Sequence, residues 1–111
     1  MIEKLSPNEL HDGLKNLTGG QLLDEEQALT KTYQFDTFAQ AFSFMTQVAF
    51  YVEKVNHHPE WTNIYNKVRV KLLTHDCKGV SAKDIALALY MDEVSFSSLN
   101  PCTSDRADLI F

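Results

Sequence analysis

The stretch EKVNHHPEWTNIYNKVRVKLLTHDCKGVSAKD, residues 53–84, decides how this chain is organised. It contains three of the four histidines, namely His57, His58 and His75, together with the single tryptophan, Trp61. An apolar pattern with helical spacing ends just before His57, and an alternating strand pattern ends just before His75. If the chain folds back between these two ends, the three rings meet at one rim, where imidazoles can both donate and accept protons near neutral pH.

Pro59 predicts where the helix before it ends. Proline disfavours α geometry in the preceding residue, so we expect the helix to stop within residues 56–58. His57 and His58 then lie at a helix C-terminus, where the helix dipole favours a positively charged imidazole. This position supports a protonated histidine that acts as an acid.

The residues after Trp61 have the alternation of a strand. Three apolar side chains alternate with three basic ones: Val68, Val70 and Leu72 with Lys67, Arg69 and Lys71. This register places the apolar set against the helices and the basic row outside. A tight turn at Asn66–Lys67 would separate a short strand, Ile64–Tyr65, from a longer one, Val68–Thr74. We interpret the basic row as a solvated face, because no aromatic side chains interleave with it for base stacking.

A helix is predicted near the N-terminus. Ser6 and Glu9 form a capping box around Pro7, which suits the first helical position. Leucines recur at helical spacing: Leu10, Leu14 and Leu17. Gly19–Gly20 then ends the helix.

A hairpin is predicted next. Gln21–Asp24 is a candidate short strand, Glu25–Glu26 is its turn, and Ala28–Phe35 alternates as the second strand. Lys31 interrupts the apolar face of that strand. We expect an exposed sheet edge to tolerate this charge.

The longest helix is predicted to begin after a cap at Asp36–Thr37. Its main apolar stripe is Phe38, Phe42, Met45, Ala49 and Val52, and a second set widens it: Ala41, Phe44, Val48, Tyr51 and Val55. A helix that is apolar around so much of its circumference usually buries two faces. We expect one face on the sheet and the other on another helix or another subunit, which predicts a homo-oligomer.

Ser81 and Asp84 are predicted to cap a last helix that ends at Asn100–Pro101. Its expected buried stripe is Ile85, Ala88, Leu89 and Phe96. The element order α-β-β-α-β-β-α predicts an α+β, two-layer fold, with a four-stranded antiparallel sheet covered by helices on one face. We predict a single domain over residues 1–111, with a core at about 5–98 and a C-terminal tail at 99–111.

Composition argues against several function classes. The formal charge of −5 disfavours direct nucleic-acid binding, because phosphate contacts need concentrated Lys and Arg. Two cysteines, Cys77 and Cys102, make no disulfide framework, which favours a cytoplasmic setting, with nuclear entry also allowed by size. The N-terminus lacks an apolar signal segment, and polar residues interrupt the apolar run 39–55, so we expect neither secretion nor membrane insertion.

Several motifs in this chain resemble those of a known family. They are Glu53–Trp61 (EKVNHHPEW), Tyr65–Asn66, Thr74-His75-Asp76 and Gly79-x-Ser81-x-x-Asp84. In combination they are similar to the motifs of the pterin-4a-carbinolamine dehydratases, and the resemblance extends over about residues 5–96. Gln21, where family members often have tryptophan, and the tail beyond Ser98 depart from the pattern without touching the motifs.

The resemblance implies a 4a-hydroxytetrahydrobiopterin dehydratase, a hydro-lyase that forms quinonoid dihydropterin and water in tetrahydrobiopterin recycling. Such acid and base catalysis needs no metal, nucleotide or redox cofactor. The implied catalytic set is His57, His58 and His75, with proton transfer by His57 and His75, and which imidazole is the acid stays open. The implied pterin-binding residues are Glu53, Asn56, His57, His58, Pro59, Trp61, Leu73, Thr74, His75, Asp76 and Asp84. The family also forms dimers and tetramers.

Other interpretations of the same residues stay open. Each residue taken alone has a structural explanation, such as capping or core packing. A zinc site could combine His57 or His58 with His75, Asp76 and Cys77, although adjacent histidine side chains point apart. Cys77 is also a candidate nucleophile, but no glycine-rich oxyanion loop surrounds it. The resemblance brings a non-catalytic role as well, because animal members act as dimerisation cofactors of a homeodomain transcription factor.

Overall fold

The computed structural model describes residues 3–17, 21–23 and 28–99. Within these ranges the elements follow the predicted order: α1 (Pro7–Leu14), β1 (Gln21–Leu23), β2 (Ala28–Gln34), α2 (Phe38–Val55), β3 (Glu60–Ile64), β4 (Lys67–Leu72) and α3 (Ala82–Leu99). A 3-10 turn at His75–Cys77, which the sequence did not predict, precedes α3. The α+β class is confirmed. The predicted turn at Glu25–Glu26, the predicted helix stops at Gly19–Gly20 and Asn100–Pro101, and the tail from residue 100 onward lie outside the described residues.

The sheet is antiparallel with the strand order β1-β2-β4-β3. It has three full strands and an edge strand, β1, of three residues. In β4 the side chains of Val68, Val70 and Leu72 are buried, whereas Lys67 and Arg69 are exposed. The predicted alternation is therefore confirmed, and the helices cover the apolar face of the sheet.

The turn between β3 and β4 lies one residue earlier than predicted. Tyr65 adopts a left-handed conformation with φ 52°, and β4 already begins at Lys67. Asn66 holds the turn in place, because its main-chain oxygen accepts from Phe35 N at 2.9 Å and its Nδ2 donates to Phe35 O at 2.7 Å. The predicted short strand Ile64–Tyr65 was wrong: β3 begins earlier and spans Glu60–Ile64, so it includes Trp61, opposite Val70.

The capping box that begins α1 is confirmed. Glu9 N donates to Ser6 Oγ, and Ser6 N donates to Glu9 Oε1. The helix is shorter than the leucine spacing predicts, because it ends at Leu14 and the chain then turns with Leu17 N bonded to Leu14 O. Leu17 still packs against the core from beyond the helix end.

Helix α2 begins at the predicted cap, where Thr37 Oγ1 accepts from Gln40 N. Its buried residues are three members of the second apolar set, Ala41, Phe44 and Val48, together with Val52 from the end of the main stripe. Phe38 and Phe42, predicted to be buried in the main stripe, remain about half exposed, at 48% and 54%. Both stripes are apolar, so hydrophobic spacing alone did not distinguish the face that covers the sheet.

Helix α3 also faces inward differently from the prediction. Its buried residues recur at helical spacing from Asp84: Leu87, Ala88, Met91, Val94 and Ser95. Leu89 and Phe96, predicted to be buried, are exposed. Tyr90 instead stacks on Tyr51 of α2, with ring centroids 4.2 Å apart.

In the described ranges neither this helix nor another is long and apolar enough to cross a membrane.

Lys31 is tolerated for a different reason from the one predicted. It lies in β2, between β1 and β4 in the sheet, and its side chain is largely buried against α3. Its Nζ donates to Asp92 Oδ1 at 2.7 Å, and Tyr33 Oη donates to the same oxygen at 2.6 Å. A carboxylate partner, and not an exposed edge, neutralises this charge.

Candidate active site

The C-terminus of α2 presents the histidine pair. Asn56 adopts the left-handed conformation, with φ 55° and ψ 48°, and ends the helix as its C-cap. Asparagine tolerates this conformation better than most residues, because its short polar side chain can bond locally. His57 and His58 follow at once, in the position that Pro59 predicted.

The third histidine lies on a short closed loop after β4. Thr74 and Gly79 form an isolated antiparallel bridge, with Thr74 N donating to Gly79 O at 2.8 Å. His75 begins the 3-10 turn inside this loop, and Lys78 leaves it in a left-handed conformation with φ 56°. The loop thus holds Thr74 beside the N-terminus of α3 and turns His75 outward.

Asp84, in the first turn of α3, connects these segments. It is fully buried, with 0% exposure. Its Oδ1 lies 2.6 Å from Nε2 of His57. Its Oδ2 accepts from Thr74 Oγ1 at 2.7 Å and from Ser81 N at 2.9 Å. A single buried carboxylate therefore joins the end of α2, the end of β4 and the start of α3.

Each of the three histidines has a carboxylate partner of its own. His58 Nε2 lies 2.9 Å from Glu53 Oε2, and His75 Nε2 lies 3.5 Å from Glu60 Oε2. Burial separates the pairs: the side chain of His57 is 11% exposed, against 50% for His58 and 79% for His75. The site therefore combines one imidazole held rigidly by a buried carboxylate with two imidazoles that face solvent.

The family model for pterin 4 alpha carbinolamine dehydratase matches residues 3–94 of this chain. The chain belongs to this family. The matched residues include every segment that forms the histidine and carboxylate arrangement.

Curated relatives agree with the dehydratase family. A protein of Rhizobium meliloti (strain 1021) is 47% identical over 93 residues, which cover 84% of this chain and 89% of the relative. A protein of Bradyrhizobium sp. (strain ORS 278) is 45% identical over 95 residues, covering 86% and 95%. Both relatives are named pterin-4-alpha-carbinolamine dehydratase as a provisional assignment.

Two solved structures resemble the fold. The crystal structure of a transcriptional coactivator/pterin dehydratase from Brucella melitensis has a TM-score of 0.81 and 42% identity, covering 84% of this chain and 99% of that one. A pterin dehydratase-like protein, identified as a RuBisCO assembly factor in the alpha-carboxysome, has a TM-score of 0.61 and 19% identity, covering 70% and 94%. The second likeness concerns the fold alone.

The residues that the dehydratase motifs singled out have different environments. His57, Thr74 and Asp84 are joined directly through hydrogen bonds. Thr74 is only 4% exposed, and its hydroxyl points to Asp84. The remaining predicted pterin contacts are exposed or half-buried: Glu53, Asn56, Pro59, Trp61, Leu73 and Asp76.

Sequence reasoning missed two members of this arrangement. The sequence indicates Glu60 only as part of the motif, yet its Oε2 lies 3.5 Å from His75 Nε2. Ser81 was predicted only as a helix cap, yet its Oγ lies 2.6 Å from Thr74 Oγ1 and the residue is 1% exposed. A signal for Glu60 was available, since a strand beginning at this residue would bring it to the end of β4.

The zinc and nucleophile alternatives have no support in this geometry. Among the described residues, no group of three or more His, Cys, Asp or Glu side chains could hold a metal ion. Cys77 Sγ lies 3.6 Å from the main-chain oxygens of Thr74 and Gly79. Its thiol therefore bonds within its own loop rather than to one of the histidines.

Proposed function

We propose that this chain is a 4a-hydroxytetrahydropterin dehydratase, which converts a pterin-4a-carbinolamine to the quinonoid dihydropterin and water. The observation that carries the proposal is the buried His57–Asp84 pair with two solvent-facing histidines at the same end of the sheet. Membership of the dehydratase family supports the substrate class.

The reaction needs only proton transfers. The carbon–oxygen bond at position 4a breaks, a carbon–nitrogen double bond forms with the adjacent ring nitrogen, and that nitrogen loses its proton. The leaving hydroxyl takes up a proton and departs as water, so no electrons are exchanged with another molecule. A positioned acid and base contribute about 10²- to 10⁴-fold each to such a step.

His57 is suited to one of these transfers because Asp84 fixes the orientation of its ring. His75 is suited to the other, since its exposed ring can reach a ligand at the surface. His58, oriented by Glu53, would contact the substrate beside them. The other residues assigned to the pterin pocket are Asn56, Pro59, Trp61, Leu73 and Asp76.

The proposal is tested by removing the imidazoles and following dehydration of 4a-hydroxytetrahydrobiopterin by absorbance across pH. His57→Ala and His75→Ala should each lower kcat by about 10²- to 10⁴-fold, because each removes one proton-transfer group. His11→Ala is the matched control, since His11 is an exposed histidine of α1. A double variant of His57 and His75 that dehydrates at the full rate would refute the enzyme hypothesis.

We also propose that the chain forms a homo-oligomer through the outer face of α2. Phe38, Phe42 and Phe50 are 48%, 54% and 75% exposed on this helix, an unusual density of exposed aromatic surface. The same face supports the second candidate function, a non-catalytic dimerisation role, which the coactivator name of the Brucella melitensis protein also favours.

Light scattering at micromolar concentration should report a dimer or tetramer for the wild type, and a smaller particle for Phe50→Ser. Phe96→Ser is the matched control, because Phe96 is a similarly exposed phenylalanine on α3. A monomeric wild type would contradict the oligomer. The non-catalytic role would be favoured by two results together: the wild type has no dehydratase activity, and the His57→Ala variant still binds a transcription-factor partner.

A further inference from the structure

We propose that Thr74 and Ser81 are positioning residues, whose hydroxyls form a directional hydrogen-bond relay that orients Asp84 and, through it, His57. This inference deepens the proposed dehydratase function and rests on it for its effect on rate. The relay consists of three side chains in succession, Ser81, Thr74 and Asp84, of which each is at most 4% exposed.

The direction of each hydrogen bond follows from counting protons. An ionised carboxylate only accepts, so the Thr74 hydroxyl must donate its single proton to Asp84 Oδ2, at 2.7 Å. Its 2.6 Å contact with Ser81 Oγ must then use the Ser81 proton. Ser81 Oγ in turn accepts from Lys83 N at 3.2 Å. The relay therefore runs from the α3 backbone through two hydroxyls to the carboxylate.

The same relay determines which oxygen of Asp84 faces His57. Oδ2 is occupied by Thr74 Oγ1 and by Ser81 N, which leaves Oδ1 to accept from His57 Nε2 at 2.6 Å. His57 thus carries a proton on Nε2, and when the ring is neutral its Nδ1 has the lone pair. The Asp84 carboxylate thus selects one tautomer of His57, the relay holds that carboxylate in place, and Nδ1 is left as the nitrogen for exchange of a proton with a ligand.

Burial separates this role from direct substrate contact. The family motif implied Thr74 as a pterin-binding residue, but both hydrogen bonds of its hydroxyl are made to buried groups, Ser81 and Asp84. Its backbone is also occupied, because Thr74 N donates to Gly79 O. The hydroxyl therefore acts on the reaction through His57.

The test is Thr74→Val, which removes the hydroxyl while keeping the branched shape. In the wild type, long-range ¹H–¹⁵N spectra should show His57 as a single Nε2–H tautomer. In Thr74→Val, Oδ2 loses one of its two donors and the carboxylate is held less firmly against His57. We therefore expect a mixture of tautomers and a fall in kcat of about tenfold, with KM little changed. Thr74→Ser, which restores the donor, should recover both readouts.

Ser95→Ala is the matched control. Ser95 is a buried serine of α3 that donates to Asp92 O, and it lies about 16 Å further along the helix axis than Asp84. It should leave the His57 tautomer and kcat unchanged. A Thr74→Val protein with the wild-type tautomer and wild-type kcat would overturn the relay, as would a Thr74→Ser protein that fails to recover either readout.

The two hypotheses fail in distinguishable ways. A wild type with a single His57 tautomer and no dehydratase activity would refute the proposed function, while the tautomer in Thr74→Val would still decide the positioning role. A fully active wild type whose His57 tautomer does not respond to Thr74→Val would refute the relay and leave the proposed function standing.

Discussion

Helix α3 carries two inward-facing carboxylates, Asp84 in its first turn and Asp92 about two turns later, roughly 12 Å along the axis. Both accept side-chain hydrogen bonds of 2.7 Å or less from residues distant in sequence. They differ in the chemistry of those partners. Asp84 meets an imidazole, which changes charge near neutral pH, whereas Asp92 meets the Lys31 ammonium and the Tyr33 phenol.

Lys31, Tyr33 and Asp92 form a cluster, the Asp92 clamp, that joins β2 to α3. Lys31 Nζ lies 4.6 Å from the centroid of the Tyr33 ring, so the three side chains also contact one another. Burial, and then the hydrogen bond and charge of Asp92, raise the pKa of Tyr33 far above its ordinary value. A cluster whose phenol keeps its proton at neutral pH can tie β2 to α3 but has no proton to exchange there. The partner, and not the carboxylate, therefore decides whether such a site can do acid–base chemistry.

Replacing each carboxylate by an amide should separate Asp84 from Asp92 by the effect on kcat. Asp84→Asn should lower kcat by about 10²- to 10⁴-fold. An asparagine amide has only one acceptor oxygen, so it cannot accept from His57 on one side and from Thr74 and Ser81 on the other. The measurement is the initial rate of 4a-hydroxytetrahydrobiopterin dehydration in the folded variant. A rate within a few fold of the wild type would show that the buried carboxylate does not support His57 in the reaction.

Asp92→Asn is the matched change at the clamp and has a smaller, different effect. We expect kcat to stay within about twofold, while the free energy of unfolding falls by about 1–3 kcal/mol as charge-assisted hydrogen bonds from Lys31 and Tyr33 are weakened. Urea unfolding followed by circular dichroism measures this loss. A large fall in kcat with unchanged stability would reverse the assignment of the two clusters.

Much of the fold was predictable because it depends on local patterns. The alternation of Val68, Val70 and Leu72 with basic residues predicted β4 and its buried face, and the Ser6–Glu9 capping box predicted the start of α1. The rotation of α2 and α3 was not predictable from apolar spacing, since Phe42 and Phe44 are equally hydrophobic and only one of them faces the core. The partner of Lys31 lies 61 residues away in sequence, so the sequence could not show that the Lys31 side chain is paired with a carboxylate and not exposed to solvent.

The candidate site divides in the same way. Pro59 placed His57 and His58 at a helix end, and the family resemblance included Asp84 among the site residues. The roles of Thr74 and Ser81 depend on which hydroxyl donates to which oxygen, and that direction follows only once the three-dimensional contacts are known. Residue type and spacing therefore predict which groups gather, whereas the direction of proton donation is a property of the folded arrangement.

Tyr33→Phe should change stability least at neutral pH, and its effect should depend on pH. Because the pKa of Tyr33 is raised in the folded state, its protonated phenol contributes stability below pH of about 10, and this contribution is lost progressively as pH rises above the ordinary tyrosine value. The wild type should therefore lose up to about 1.4 kcal/mol per pH unit more than Tyr33→Phe above pH 10, while at pH 7 the variant is less stable by only about 1 kcal/mol. Urea unfolding of both proteins at pH 7, 9, 10 and 11 measures the difference, in which the other titrating groups cancel. Parallel pH curves for the two proteins would mean that Tyr33 ionises as readily in the fold as outside it, and the view of the Asp92 cluster as a closed clamp would fail.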